Sequence, residues 1–134
     1  MVGFMVANDL FEAAKIAQQR AYAPYSNFPV GAAIRTESGA IYSGCNVENA
    51  AYPEGWCAET SAISQMVAAG ETKIVEVCVI GRRARVTAPC GGCRQRLAEF
   101  SSARTRVHAA NPNGIKKTFI MEELLPAVFS LEED

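Results

Sequence analysis

The sequence has little net charge and no apolar run long enough to span a membrane. Its 13 lysines and arginines nearly balance 14 acidic residues, so the formal net charge is −1. A chain without excess positive charge releases few counterions from a phosphate backbone, so we expect no nucleic-acid partner. The apolar start, MVGFMVAND, is too short to cross a bilayer and lacks the basic flank and cleavage motif of a secretory signal. We therefore expect a cytoplasmic protein with no membrane partner.

The sequence also offers little basis for disulfide bonds. Its five cysteines are an odd number, and disulfide frameworks are rare in a reducing compartment. Metal binding or catalysis therefore explains the cysteines better. The single histidine, His108, alternates with apolar neighbours in a predicted strand, which favours a structural role.

Length and composition indicate one domain spanning residues 1–134, because 134 residues with 49% hydrophobic and 20% charged side chains suit a single core. Apolar periodicity, turn residues and caps predict an α/β fold, with a single mixed sheet of about five strands sandwiched by helices. We predict helices at 9–21, 57–69, 90–101 and 122–129, the last ended or kinked at Pro126, and strands at 30–36, 40–46, 73–80, 105–110 and 116–121.

Three cysteines have the spacing of a zinc site. Cys90 and Cys93 form a C-x-x-C pair at a helix start, which suits two thiolates binding one tetrahedral ion. Cys57 begins another predicted helix, so two helix N-termini can point their thiolates at the same metal. Three protein ligands leave a fourth position open for water, which is typical of catalytic zinc.

Two other interpretations of the cysteines stay open. Cys45, at a strand end, is a candidate fourth ligand that would close the site and make it structural, whereas Cys78 lies in an apolar strand and suits the core. A thioredoxin-like redox pair shares the C-x-x-C spacing, but it leaves Cys57 without a purpose.

Glu59 follows Cys57 by two residues, so on a helix its side chain points away from that ligand. It is therefore not expected to bind the metal. A carboxylate beside a metal-activated water can take its proton and deliver it elsewhere, so the pattern predicts a general acid and base.

Three separated motifs resemble one family. YAPYSNFPVGAA at 22–33, GCNVENAAYPEGWCAE at 44–59 and PCGGCRQ at 89–95 are similar to the small zinc-dependent cytidine deaminases that act on free nucleosides. The resemblance implies a cytidine deaminase-like fold, one Zn²⁺ per subunit and a homotetramer. It implies deamination of cytidine and deoxycytidine in pyrimidine salvage: zinc hydroxide attacks C4, the glutamate protonates N3 and then the departing amine, and ammonia leaves.

The same resemblance implies roles for individual residues. Without it, Asn46, Glu48, Phe28, Tyr52 and Phe129 suit turns, surface or packing, and we expect Trp56 to be a packing residue. With it, Glu59 is catalytic and Cys57, Cys90 and Cys93 hold the metal; Asn46 and Glu48 hold the ribose hydroxyls, Phe28 packs on the pyrimidine, the Ala58 N–H donates to the base, and Tyr52 and Phe129 reach a neighbouring subunit's site.

One departure from the family concerns charge. Many members carry arginine straight after the catalytic glutamate, where this chain has Thr60. Three thiolates on Zn²⁺ sum to one net negative charge. We expect the positive N-terminal ends of the two helices to compensate for part of it. Arg94 follows Cys90 by four residues, so we expect it to donate a hydrogen bond to the Cys90 sulfur. The arginines at 82, 83 and 85 suit an exposed loop.

Two alternative functions remain at this stage. Deamination of a cytosine-nucleoside antibiotic would use the same CAE and PCxxC motifs, although Asn46 and Glu48 favour ordinary ribose. A noncatalytic structural zinc module, used for binding or assembly, is the alternative from a different class. An enzyme editing polynucleotides fits the near-neutral charge poorly.

Overall fold

The computed structural model describes residues 2–131, with side chains from residue 7 onward. The elements follow the predicted order of helix, two strands, helix, strand, helix, two strands and helix. They are α1 (Val2–Gln18), β1 (Gly31–Thr36), β2 (Ile41–Cys45), α2 (Ala58–Ala68), β3 (Ile74–Ile80), α3 (Gly91–Glu99), β4 (Arg106–Asn111), β5 (Gly114–Ile120) and α4 (Met121–Leu124), with a short 3₁₀ turn at Tyr52–Glu54 before α2.

The strands form one mixed sheet in the order β2-β1-β3-β4-β5, which confirms the predicted fold class. β1 pairs antiparallel with β2 and with β3, and Gly31 lies opposite Cys45 on one side and Ile80 on the other. β3 and β4 are parallel, so the chain must cross over between them, and α3 lies within that crossover. The segment after β3 therefore carries Cys90 and Cys93 past the carboxyl end of this strand.

Two hydrophobic clusters cover the two faces of the sheet. On one face Val77 and Val79 pack with Met66 of α2 and Leu97 of α3. On the other face Cys78 and Ile80 pack with α1 residues that include Leu10. Because β3 is buried on both faces, its sequence is almost continuously apolar instead of alternating.

Two glycines let helices approach the sheet closely. A β carbon on Gly31 would lie 2.0 Å from the carbonyl oxygen of Ala14 in α1. One on Gly44 would lie 2.5 Å from the backbone nitrogen of Ala62 in α2. Both distances are shorter than any real contact, so only glycine permits this packing. The contact at Gly44 positions α2, and with it the Cys57–Glu59 segment.

The first and last helices differ from their predicted bounds. α1 begins at Val2, before the predicted start at residue 9. It ends at Gln18, because Tyr22 pairs with the segment after β2: the Tyr22 N–H donates to the Asn46 carbonyl at 3.0 Å. α4 ends at Leu124, because the residue before Pro126 is disfavoured in a helix and Leu125 has non-helical angles of φ −144° and ψ 77°.

His108 and Cys78 occupy structural positions. His108 Nε2 lies 2.5 Å from Glu76 Oε2 and its Nδ1 lies 2.7 Å from Thr118 Oγ1, so both ring nitrogens have protein partners. Cys78 is fully buried in the core, and burial raises the pKa of its thiol to about 12. These positions fit the structural roles that the sequence predicts for His108 and Cys78.

Candidate active site

Three cysteines converge where α2 and α3 begin. Cys57 caps the N-terminus of α2, Cys90 caps that of α3, and Cys93 lies in the first turn of α3. Their Sγ atoms all lie within 4.8 Å of one another. Both helices direct the positive end of their dipole at this cluster, which favours thiolates. Within residues 2–131, Cys45 is not part of the cluster.

The chemistry of this donor set suits zinc. Soft thiolate ligands on a tetrahedral ion at about 2.3 Å place their sulfurs roughly 3.8 Å apart, so small side-chain adjustments complete the site. The thiols already interact: a hydrogen bond between them lowers the pKa of Cys57 and raises that of Cys93. Three such ligands leave a fourth tetrahedral position open, so a bound ion can activate a water molecule.

Glu59 lies in the first turn of α2, beside the thiols. Only 5% of it is exposed. Burial raises the pKa of Glu59, and its own backbone N–H, the Cys93 side chain and the positive charge of Arg96 oppose that shift in part. A buried carboxyl group whose proton affinity is raised is suited to accept and release a proton.

A pocket of about 410 Å³ opens beside the cluster. Its volume is in the range of small-molecule sites, and its wall mixes apolar with polar groups. A cavity of about 500 Å³ at the other end of β3 contains none of the thiols. Seven predicted site residues line the pocket: Asn46, Glu48, Tyr52, Cys57, Ala58, Glu59 and Cys90. Seven further lining residues were not predicted for this role from the sequence: Val30, Val47, Gly55, Trp56, Val79, Thr87 and Ala88.

Asn46 is held in one orientation at the pocket wall. Its Oδ1 accepts a hydrogen bond from the Val30 N–H at 2.9 Å, and its Nδ2 donates to the Phe28 carbonyl at 3.0 Å. An amide group has a second hydrogen and further acceptor capacity. Asn46 can therefore contact a polar ligand without giving up the bonds that fix it.

Glu48 is fixed by the loop that precedes β1. Its Oε1 accepts hydrogen bonds from the Tyr25 and Ser26 N–H groups at 2.9 and 3.1 Å, and its Oε2 accepts one from the Ser26 hydroxyl. The hydroxyl contact is the main cause that lowers the pKa of Glu48. The carboxylate thus stays ionised in the neutral pH range and presents a charged acceptor at the pocket.

Two predicted aromatic residues do not line the pocket. The Phe28 ring lies 4.8 Å from the guanidinium carbon of Arg83, which stacks over it. Phe129 is 69% exposed, and its carbonyl accepts a weak hydrogen bond from Gln95 at 3.4 Å. Any role of Phe129 in catalysis therefore concerns a site other than the pocket of its own subunit.

Arg94 has contacts other than the predicted hydrogen bond to the Cys90 sulfur. Its guanidinium donates to the Pro89 carbonyl at 2.8 Å and to the Leu124 carbonyl at 3.1 Å, so it ties α3 to α4. The guanidinium that reaches a sulfur belongs to Arg96, whose Nη1 lies 3.6 Å from Cys93 Sγ. Arg96 follows Cys93 by three residues and Arg94 follows Cys90 by four, so both share a helix face with a cysteine and the spacing alone does not choose between them.

Comparisons with known proteins agree with this fold and site. A family model for the cytidine and deoxycytidylate deaminase zinc-binding region matches residues 6–109. A cytidine deaminase from Sporosarcina psychrophila is 40% identical over 129 residues, which cover 96% of this chain and 95% of that protein. One from Halalkalibacterium halodurans is 38% identical over 117 residues, covering 87% and 89%.

Solved structures show the same similarity. The crystal structure of cytidine deaminase from Burkholderia pseudomallei superimposes with a TM-score of 0.86 at 42% identity, covering 91% of this chain and 98% of that one. That from Mycobacterium tuberculosis gives 0.80 at 33%, covering 92% and 97%. The chain therefore belongs to the cytidine and deoxycytidylate deaminase family, whose zinc-binding region includes the three thiols. No helix in the described residues has the length and apolar character needed to cross a membrane.

Proposed function

We propose that the protein is a zinc-dependent cytidine deaminase that converts cytidine and deoxycytidine to uridine and deoxyuridine in pyrimidine salvage. One observation carries the proposal: three thiols with room for a fourth ligand lie beside the buried Glu59, on the wall of a pocket of about 410 Å³. The family membership and relatives about 40% identical support this substrate class. We further propose that residues 1–134 act as a single deaminase domain.

The overall reaction is hydrolysis. The oxygen of one water molecule bonds to C4 of the cytosine ring, the bond from C4 to the exocyclic nitrogen breaks, and ammonia leaves. When bound by Cys57, Cys90 and Cys93, zinc supplies the Lewis acidity that activates this water. Glu59 takes the proton of the attacking water, protonates ring N3, and delivers a proton to the departing amine.

The pocket wall provides groups to orient a nucleoside. The Ala58 N–H belongs to the first turn of α2, where amides lack a partner within the helix, so it suits a base carbonyl. Asn46 and Glu48 offer an amide and a charged acceptor for the ribose hydroxyls. Phe28 supplies its flat ring to the pyrimidine after Arg83 shifts from its face.

The working form in this proposal is a cytoplasmic homotetramer. Tyr52, Trp56 and Phe129 are 75%, 52% and 69% exposed, and large aromatic side chains of this kind are enriched at interfaces. In the tetramer, Tyr52 and Phe129 contact the site of a neighbouring subunit. The reduced state that the three thiols need for metal binding suits the cytoplasm.

Ammonia release from cytidine by purified, zinc-loaded protein tests the activity. We expect one ammonia and one uridine per cytidine consumed, and turnover about 10²- to 10⁴-fold slower with the Glu59→Gln variant. A panel with deoxycytidine, free cytosine, cytidine monophosphate and a cytosine-nucleoside antibiotic defines the substrate. Absence of turnover on cytidine and deoxycytidine, with zinc bound, would overturn the proposal.

Subunit mixing tests the tetramer. Phe129→Ala should raise KM, and Glu59→Gln should be inactive. Hybrids of these two variants restore complete sites if Phe129 serves a neighbour, because the Glu59→Gln subunit supplies the missing ring. Sedimentation analysis gives the oligomeric state. A monomer, or hybrids with no recovery of KM, would refute this arrangement.

A further inference from the structure

The metal site carries a charge that its ligands do not balance. Three thiolates around a divalent ion leave one net negative charge, and Cys93 is fully buried. Excess charge in the interior is costly unless a cation or hydrogen-bond donors approach it. The N-termini of α2 and α3 supply part of the compensation, but each is worth only about half a positive charge.

Arg96 places a full cation on this cluster. Its Nη1 lies 3.6 Å from Cys93 Sγ, within the reach of a hydrogen bond to sulfur. The guanidinium folds back along α3 over Gly92, where an added β carbon would lie 3.3 Å from the same Nη1. The missing side chain at Gly92 thus leaves room for the guanidinium beside the metal ligands.

The neighbouring positions bring no cation into contact with the Cys93 sulfur among the described residues. Arg94 is engaged by two backbone carbonyls between α3 and α4. Thr60 of α2 faces the same sulfur as Arg96, with its Oγ1 4.0 Å from Cys93 Sγ, but its side chain is neutral. Positions 60 and 96 therefore approach one thiolate from two helices, and only position 96 carries a cation.

We propose that Arg96 is the charge-balancing residue of the zinc site in this protein, where it draws electron density from the Cys93 thiolate. The inference rests on the proposed zinc-dependent deamination. Weaker donation from this sulfur leaves the bound metal a stronger Lewis acid. Arg96 acts through Cys93 and lies outside the lining of the nucleoside pocket, so it is a positioning residue that affects kcat and not KM.

Four variants test the charge at position 96. Arg96→Gln removes the charge but keeps a polar side chain, and Arg96→Lys retains the charge. Arg96→Gln combined with Thr60→Arg returns a cation from α2 to the same sulfur. Arg104→Gln is the matched control, since Arg104 is an exposed arginine whose ion pair with Glu122 lies away from the thiols.

Each variant is measured in two forms. The zinc-loaded form gives kcat, KM and metal content. The cobalt-loaded form gives the thiolate-to-cobalt charge-transfer absorption, which reports sulfur electron density independently of activity. We expect Arg96→Gln to keep one metal per subunit, lower kcat about 10- to 100-fold with little change in KM, and shift the cobalt band to longer wavelength. Both changes should be reversed in the double variant and absent in Arg104→Gln.

An unshifted cobalt band in Arg96→Gln, or a kcat equal to wild type, would overturn the proposal. So would a double variant that folds and binds metal but recovers neither kcat nor the band. If Arg96→Gln does not fold, Arg96→Lys decides, since a loss of more than about tenfold in kcat would show that charge is not the property required. Inactive wild-type protein would refute the proposed function, whereas the cobalt band would still test Arg96.

Discussion

The Ser26 hydroxyl donates a hydrogen bond to Glu48, and this contact joins the 22–28 loop to the loop after β2, which lines the pocket. The N–H groups of Tyr25 and Ser26 donate to the same carboxylate at 2.9 and 3.1 Å. A carboxylate that accepts several hydrogen bonds is favoured in its charged form, and the pKa of Glu48 is accordingly lowered. Glu48 therefore serves both as a pocket residue and as the anchor of the 22–28 loop.

Replacing this carboxylate should weaken nucleoside binding. We expect Glu48→Gln to raise KM for cytidine about tenfold or more, because an amide loses the charged acceptor and disturbs the anchored loop. Steady-state kinetics at neutral pH provide the measurement. Glu37→Gln is the control, because the Glu37 side chain is exposed, lies 4.0 Å from the Lys73 ammonium group and does not line the pocket. An unchanged KM in Glu48→Gln would argue against ribose recognition by this residue.

Acid should remove the stabilising contribution of Glu48. Since its folded-state pKa is lower than the unfolded value of about 4.3, the contribution is present above that value and is lost as pH falls through the lowered pKa. Urea midpoints of wild type and Glu48→Gln should therefore differ at neutral pH and converge in acid. Titration of the thiols affects both proteins alike. A difference that is the same at both pH values would contradict this linkage.

Glu59 should be needed for turnover but not for metal binding. We expect Glu59→Gln to lower kcat about 10²- to 10⁴-fold, which is the usual contribution of a positioned general acid or base. Zinc content should stay at one per subunit, because the three thiols form the metal cluster without this residue. Metal analysis beside single-turnover assays tests both statements. Loss of zinc in this variant would mean that Glu59 is a ligand.

Cys45 distinguishes an open metal site from a closed one. It lies at the end of β2, outside the thiol cluster that the described residues form. We expect Cys45→Ser to keep wild-type zinc affinity and activity, whereas Cys93→Ser should lose both. Competition with a chromogenic chelator measures the affinity. Weakened zinc binding in Cys45→Ser would favour a structural zinc module with four thiolates.

Gly44 should be intolerant of even a methyl group. A β carbon there would lie 2.5 Å from the Ala62 backbone nitrogen and 2.6 Å from the Ser61 β carbon. We expect Gly44→Ala to lower the free energy of unfolding by about 2 kcal/mol, the usual cost of overpacking. Gly91→Ala is the control, because nothing lies within 4 Å of its β carbon. Equal urea stability of the two variants would show that α2 can shift away from β2.

Much of the fold was predictable because its signals are local. Helix starts at Cys57 and Cys90 follow from sequence patterns that act within one turn, and the structure confirms both as N-caps. The hairpin of β1 and β2 follows from a short connection with Gly39, whose φ of 92° suits glycine. The early end of α1 was missed because the pairing of Tyr22 with Asn46 joins residues far apart in the chain.

The site was predictable only in part. The metal thiols and Glu59 have diagnostic spacing, so the motifs identify them without coordinates. The choice between Arg94 and Arg96 has no such signal, because both lie one helical turn from a ligand cysteine. The tertiary structure distinguishes the two arginines: Arg94 donates to the Pro89 and Leu124 carbonyls, whereas Arg96 contacts the Cys93 sulfur.

The sequence by itself determined the order of the elements, the three thiols and the position of Glu59 beside them, because caps, periodicity and ligand spacing depend on residues close together in the chain. Only the tertiary structure decided which arginine meets the sulfur, which loop holds Glu48, and that Phe28 and Phe129 lie outside the lining of the pocket in their own subunit. Those arrangements depend on side-chain directions and on contacts between distant segments, which a linear pattern does not specify.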